Sequence, residues 1–280
     1  MNSNPNEKNR FKESLLNKNA FAITCELVPG RGSRSRVQDN LLAFAEKAAF
    51  GGKIQALSIT ENAGGHPALS PGVLGKEILK LGIEPLVHLT CKDRNRNQME
   101  SRLFAQGREK MHNLLVMGGD YPRYGFKGFA KPVFDLDTVQ LIAMVDEMTR
   151  GFEVEKNAPG GGTKLPPIPF FKGCVISPFK KLEAELMTQY FKLHKKIAAG
   201  ADFVITQVGF DARKFDEALR YMRQNGLGIP ILGNVYIPSM TVASVMHQGL
   251  VLKPEVLLDQ LFYEKSRIDT NPLNDTHRIN

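Results

Sequence analysis

The sequence predicts a parallel α/β fold of the (β/α)8 barrel type, incomplete at its C-terminus because no eighth strand is evident. Three observations predict it. Short β-branched runs alternate with longer stretches of helical periodicity, the pattern of a parallel sheet covered by crossover helices. Seven strand candidates recur in this way, which favours a barrel over an open sheet. The length of 280 residues suits a single barrel of roughly 250 residues with short extensions, although two smaller domains fit equally well.

In order, the strand candidates are Phe21–Val28, Ile54–Thr60, Glu84–Cys91, Asn113–Met117, Phe170–Ile176, Phe203–Gln207 and Ile229–Val235. Helical spacing runs through Val37–Ala49, Pro71–Leu81, Gln98–Lys110, Asp137–Arg150, Lys181–Ala199 and Asp211–Asn225. Pro71 after Ser70 is a helix start, because proline fits the first helical position, and Gly51, Gly82, Gly151, Gly200 and Gly226 are stop signals. Residues 157–169 contain Gly160-Gly161-Gly162 and four prolines. They read as an exposed loop, since no Lys-Ser/Thr and no helix follows at the distance a phosphate-cradling loop needs. After the seventh strand come helix-like Ser239–Gln248 and Pro254–Leu261. The expected organisation is a polar, Asn-rich extension over 1–20, a barrel over 21–262 and a polar tail over 263–280.

Composition narrows the function classes. Hydrophobic residues at 42% and charged residues at 24% are ordinary for a globular protein with a sizeable core. The apolar runs fall short of the roughly 18 residues of a membrane span, and Met1–Ala20 lacks the apolar stretch of a secretory signal. A cytoplasmic protein is expected. Cys25, Cys91 and Cys174 show no metal-ligand spacing, nor do the dispersed histidines, so reduced buried thiols and no protein-held metal are expected. The net charge is +8; basic residues are spread through the helices, with dense clusters only at Arg31–Arg36, Lys92–Arg96 and Lys192–Lys196 and no interleaved aromatic platform. That arrangement suits small anionic ligands better than nucleic acid.

In a parallel barrel the chemistry gathers at the C-terminal ends of the strands. Five polar residues stand there. Glu26 interrupts an apolar strand, where an ionisable group must be functional or paired, for instance with Arg31. Thr60 ends strand two ahead of Glu61-Asn62-Ala63-Gly64-Gly65-His66, and His88 lies near the end of strand three; a strand histidine is more often a satisfied core residue than a catalyst. Asp120 follows Gly118-Gly119, where glycines let backbone approach a ligand closely, and Gln207 ends strand six with a paired donor and acceptor.

Several segments, in order and spacing, resemble the methylenetetrahydrofolate reductase family over roughly residues 12–262. They are Ile23–Gly32, Pro85–Arg96 with Asp93-Arg94-Asn95-Arg96, Gly118-Gly119-Asp120, Val133–Asp137 and Ala199–Gln207. The resemblance implies a barrel that binds FAD and passes hydride from NADH or NADPH through the flavin to 5,10-methylenetetrahydrofolate, in the one-carbon metabolism that feeds methionine synthesis. By position it implies Glu26 as general acid and Asp120 near both flavin and pterin. It further implies Gln207 on the pterin and Thr60, His88 and Gly119 at the flavin. Lys192, Lys195 and Lys196 would face the FAD phosphates, although a solvated helix face would look the same. There are departures: Ile176-Ser177-Pro178-Phe179-Lys180 replaces the family's usual segment after strand five, and Gln189 and Lys192 stand where an acid and an amide are common. An alternative expectation is therefore a folate- or flavin-binding subunit of a methyltransferase or electron-transfer complex, fed by a partner protein. The sequence leaves a homo-oligomer open.

Overall fold

The structure, a computed structural model, describes residues 8–236. Seven strands form one parallel sheet: Thr24–Leu27 (β1), Ala56–Ile59 (β2), Glu84–Thr90 (β3), Asn113–Met117 (β4), Phe171–Ile176 (β5), Phe203–Thr206 (β6) and Ile231–Leu232 (β7). Their order in the sheet is their order in the chain. A doubly wound sheet reverses at a switch point; this one does not, and the class is the expected β/α barrel. It is incomplete among the described residues, which hold no eighth strand. The helices expected at 239–248 and 254–261 and the tail at 263–280 lie outside those residues.

The helices are Arg10–Leu16 (α1), Arg36–Gly51 (α2), Pro71–Lys80 (α3), Arg96–Arg108 (α4), Thr138–Arg150 (α5), Glu183–Ala198 (α6) and Ala212–Gln224 (α7). Side-chain caps set several of their starts. Asn95 accepts from the Gln98 N–H, and Asp137 with Gln140 makes a reciprocal capping box. None of the described helices is long and apolar enough to cross a membrane.

The described residues divide into two compact units, 8–174 with 195–202 and 175–194 with 203–236. In the first, β2 is buried at every position, as a strand covered on both faces must be. Leu57 and Ile59 pack with Ala45 and Ala48 of α2 and Leu74 and Ile78 of α3. The buried Lys172 of β5 is neutralised by Asp146 at 3.1 Å and Asp202 at 3.2 Å. Helix α1 was not expected within a polar extension. Its Phe11 and Leu15, four apart, are both buried, and Phe11 meets Phe171 edge-on at 5.9 Å. Asn9 caps it and donates to the Asn113 side chain at 2.6 Å.

In the second unit β6 is fully buried and pairs with β7 in register Val204↔Ile231. Helix α7 buries Phe215, Ala218, Leu219 and Met222, an apolar stripe at helical spacing. Tyr190 and Tyr221 stack at 4.0 Å between ring centroids.

Candidate functional site

Register fixes which residues of the first unit share a face. Glu26 pairs with Ser58, Ser58 with Leu86, and His88 lies two residues beyond Leu86. Side chains alternate along a strand, so Glu26, Ser58, Thr60, His88 and Thr90 all stand on the face away from the α2–α3 core. An apolar face against the helices thus backs a polar face opposite.

Glu26 is exposed on that face and makes neither an ion pair nor a hydrogen bond among the described residues. The pairing with Arg31 is absent. Although the side chain as a whole reaches solvent, its carboxyl is partly desolvated, which raises its pKa above the usual carboxylate range. Beside it, Ser58 Oγ and His88 Nε2 lie 2.7 Å apart. His88 is buried, and burial pulls its pKa down to about 4, so the ring is neutral at pH 7. Thr60 is buried with a hydroxyl that finds no partner among the described residues. An unmet hydroxyl at a strand end is what the polar edge of a bound cofactor can satisfy, so the residues here fit a flavin.

The loops beyond these ends hold one another. Asp120 accepts the Gly64 N–H at 2.9 Å, Asn62 donates to Asp93 at 2.9 Å, the Arg123 N–H reaches the Gly65 carbonyl at 2.8 Å, and Arg96 grips Asp135. Lys92, buried to 1%, pairs with Asp93. Two glycines permit this closeness. At Gly65 a Cβ would sit 2.0 Å from the Tyr121 carbonyl oxygen, and at Gly119, with φ +84°, it would meet Lys92 Cδ at 2.8 Å. Asp120 itself is exposed at the loop's edge.

Under these loops lies a cluster that sequence reading did not single out. Glu61, buried, accepts from both the N–H and the hydroxyl of Thr90 at 2.8 Å. Its other oxygen pairs with Arg94 at 2.9 Å and Arg102 at 2.8 Å. Burial, working against Glu61, lowers the Arg102 pKa. The available signal was an acid directly after a strand-ending threonine, with arginines at Asp93-Arg94 and inside the next helix.

The remaining candidates have different surroundings. Lys192 and Lys195 are exposed, whereas Lys196 is buried close to Cys174. The Cys174 thiol is pushed up to about 11 by burial, with the Lys196 ammonium acting in the opposite direction. In the second unit, Gln207 follows β6 with an exposed side chain, its N–H bonded to the Ile176 carbonyl at 2.6 Å. Gln189 is half-buried on α6. In the altered segment after β5, Phe179 packs edge-on against Phe215 at 5.1 Å and fills the space beside Gly209.

With this geometry in view, comparison with known proteins is informative. The family described as methylenetetrahydrofolate reductase matches residues 10–261. A probable methylenetetrahydrofolate reductase (NADPH) of Caenorhabditis elegans is 25% identical over 233 residues, covering 79% of this chain and 32% of that protein. Methylenetetrahydrofolate reductase 2 of Saccharomyces cerevisiae is 26% identical over 206 residues, covering 70% of this chain and 30% of that one. The chain spans about a third of the length of these relatives. Among solved structures, an uncharacterised protein from Clostridium thermocellum that binds two copies of 5-methyl-5,6,7,8-tetrahydrofolic acid aligns with TM-score 0.57 and 14% identity. The alignment covers 90% of this chain and 79% of that one. A 2,3-dimethylmalate lyase aligns with TM-score 0.52 and 14% identity, covering 95% and 88%. At such identities these two likenesses bear on the fold alone.

Proposed function

The chain belongs to the methylenetetrahydrofolate reductase family, and from that premise we propose that it reduces 5,10-methylenetetrahydrofolate to 5-methyltetrahydrofolate, with FAD as cofactor and NADH or NADPH as electron donor. The observation that carries the reading is Glu26: a carboxyl with raised pKa, unpaired, on the polar face of the sheet beside the Ser58–His88 pair. A carboxyl whose pKa is raised there can, in its protonated form, donate to a nitrogen of the folate's five-membered ring and assist its opening to an electrophilic iminium. FAD, when bound, supplies the two-electron relay between nicotinamide and folate.

The chain's own residues take the remaining roles. Thr60, with its unmet hydroxyl, His88, a neutral ring able to donate or accept, and the close-approaching Gly119 would hold the isoalloxazine. Asp120 would place a negative charge beside flavin and pterin, and Gln207 would pair its amide with pterin polar groups. Lys192 and Lys195, both exposed, would meet the phosphates together with Lys196, which is buried. A barrel domain over 21–262, a cytoplasmic location and a place in methionine synthesis belong to the same proposal.

The test is the visible spectrum of the purified protein, followed by anaerobic addition of FAD and then of 5,10-methylenetetrahydrofolate to the reduced protein. Flavin absorbance that returns on adding folate supports the proposal. Failure to bind FAD at all defeats it. The changed flavin-side positions Gln189 and Lys192 favour a second reading, a folate- and flavin-binding subunit that takes electrons from a partner protein.

A further inference from the structure

A groove outside the strand-end site runs between α3 and α4. It is a cavity of about 360 Å³ whose wall includes Val73, Lys76, Lys80, Arg102, Gln106 and Met111. That size takes a ligand of one or two rings. Gln106 is the unusual member. It is 2% exposed, yet neither its amide nitrogen nor its carbonyl oxygen has a hydrogen-bond partner among the described residues. Buried carboxamides are ordinarily satisfied, so a donor and an acceptor left without partners on a residue of the cavity wall ask for a matching pair. The Nε of Arg102, in the same wall, is also buried without an acceptor.

Charge decides the rest of the ligand's character. Lys76 is paired with Glu109 at 2.8 Å, and Arg102 with Glu61 at 2.8 Å. Glu77 and Lys80, both lining the groove, offset one another. The charges on the lining are thereby largely offset, with Arg102 sharing Glu61 with Arg94, and Val73 and Met111 give the groove an apolar surface. The geometry points to a second binding site, for a neutral planar ligand whose edge carries an adjacent donor and acceptor: a primary carboxamide or a ring lactam. Such an edge meets the Gln106 amide with two antiparallel hydrogen bonds, and its ring lies against Val73 and Met111. This site does not depend on the reductase reading.

Saturation-transfer NMR and calorimetry on the FAD-loaded chain test it, with nicotinamide as the carboxamide probe and uracil as the lactam probe. Nicotinic acid and methyl nicotinate, which keep the ring but lose the donor–acceptor edge, are the controls. At least one probe binds saturably at about 1 mM or tighter. Whether nicotinamide or uracil is preferred tells carboxamide from lactam, and either outcome supports the site. Gln106→Leu weakens that probe by about tenfold or more while raising the melting temperature of the ligand-free protein, because two unmet polar groups are removed. Val73→Trp, on the exposed groove wall, abolishes binding without touching the core, and so separates this groove from any nicotinamide bound at the flavin. Equal binding of nicotinic acid or methyl nicotinate, binding untouched by Val73→Trp, or no saturation by either probe, as when only water fills the groove, overturns the proposal.

Discussion

At the scale of single residues, Glu26 and His88 show how one polar sheet face sets two protonation states in opposite directions. Glu26 lacks the ion pair that would make it structural, so Glu26→Gln should leave the thermal melt within about 0.5 kcal/mol of the parent. Flavin reduction by nicotinamide, which needs no folate protonation, should persist, while the folate half-reaction falls by about two to four orders of magnitude, the usual share of general acid catalysis. Stopped-flow measurement of the two half-reactions separates these effects; equal losses in both would return Glu26 to a structural role. Because its pKa is raised, the parent's folate half-reaction should hold above the normal carboxylate range and decline as pH climbs through the shifted value. His88 has the reverse sign. Its folded pKa of about 4 lies below the unfolded 6.5, so the unfolded chain binds the extra proton first. Stability is intact above pH 6.5 and is lost as pH falls towards 4, by up to about 3 kcal/mol. His88→Gln should flatten the dependence of melting temperature on pH between 6.5 and 5, where few carboxylates titrate; an unchanged slope would mean that His88 is not the buried neutral ring described.

Elements carry the site through their ends, and the network at the end of β2 is where the sequence was hardest to read. Glu61 ties the β2–α3 loop to Thr90 at the end of β3 and to Arg94 and Arg102 beside it. Glu61→Gln keeps the volume but strands two largely buried guanidinium groups, which should cost about 3–5 kcal/mol in chemical denaturation. A loss under about 0.5 kcal/mol would show that solvent already neutralises them. The strands themselves were legible because alternation and β-branching are local signals: β4 has the expected bounds Asn113–Met117, and the helices α2 to α7 lie within two residues of theirs. Strand ends were less so. Phe21–Ile23 and the flanks of Ile231–Leu232 fall outside the strands, which no single-segment pattern reveals. Helix α1 went unrecognised because only Phe11 and Leu15 carry its apolar stripe, and its ties, Phe11 to Phe171 of β5 and the capping Asn9 to Asn113 of β4, are distant in sequence. The same distance hid Glu61, whose partners sit on other elements, whereas Glu26 stood out simply by interrupting an apolar run.

For the whole molecule the open chemical question is the source of electrons. The chain carries +8, and its polar strand-end face, loop ties and family membership agree with an enzyme of anionic cofactors. Yet Gln189 and Lys192 alter the flavin side, and Phe179 turns the segment after β5 into packing against α7. By the resemblance these changes fall on the proposed flavin side, while Glu26, Asp120 and Gln207 are the residues proposed for the folate. If the departures only adjust how tightly FAD is held, a protein saturated with FAD should still take hydride directly from a nicotinamide, because transfer needs an accessible ring face and no further acid. Anaerobic mixing of the FAD-loaded chain with NADH, and separately with NADPH, should therefore bleach the flavin with no other protein present, and the faster of the two identifies the donor. If neither bleaches it while dithionite does, and the chemically reduced flavin then still reduces 5,10-methylenetetrahydrofolate, the folate half of the chemistry stands and the electrons come from a partner protein. That result would move the chain to the second reading without disturbing Glu26's role.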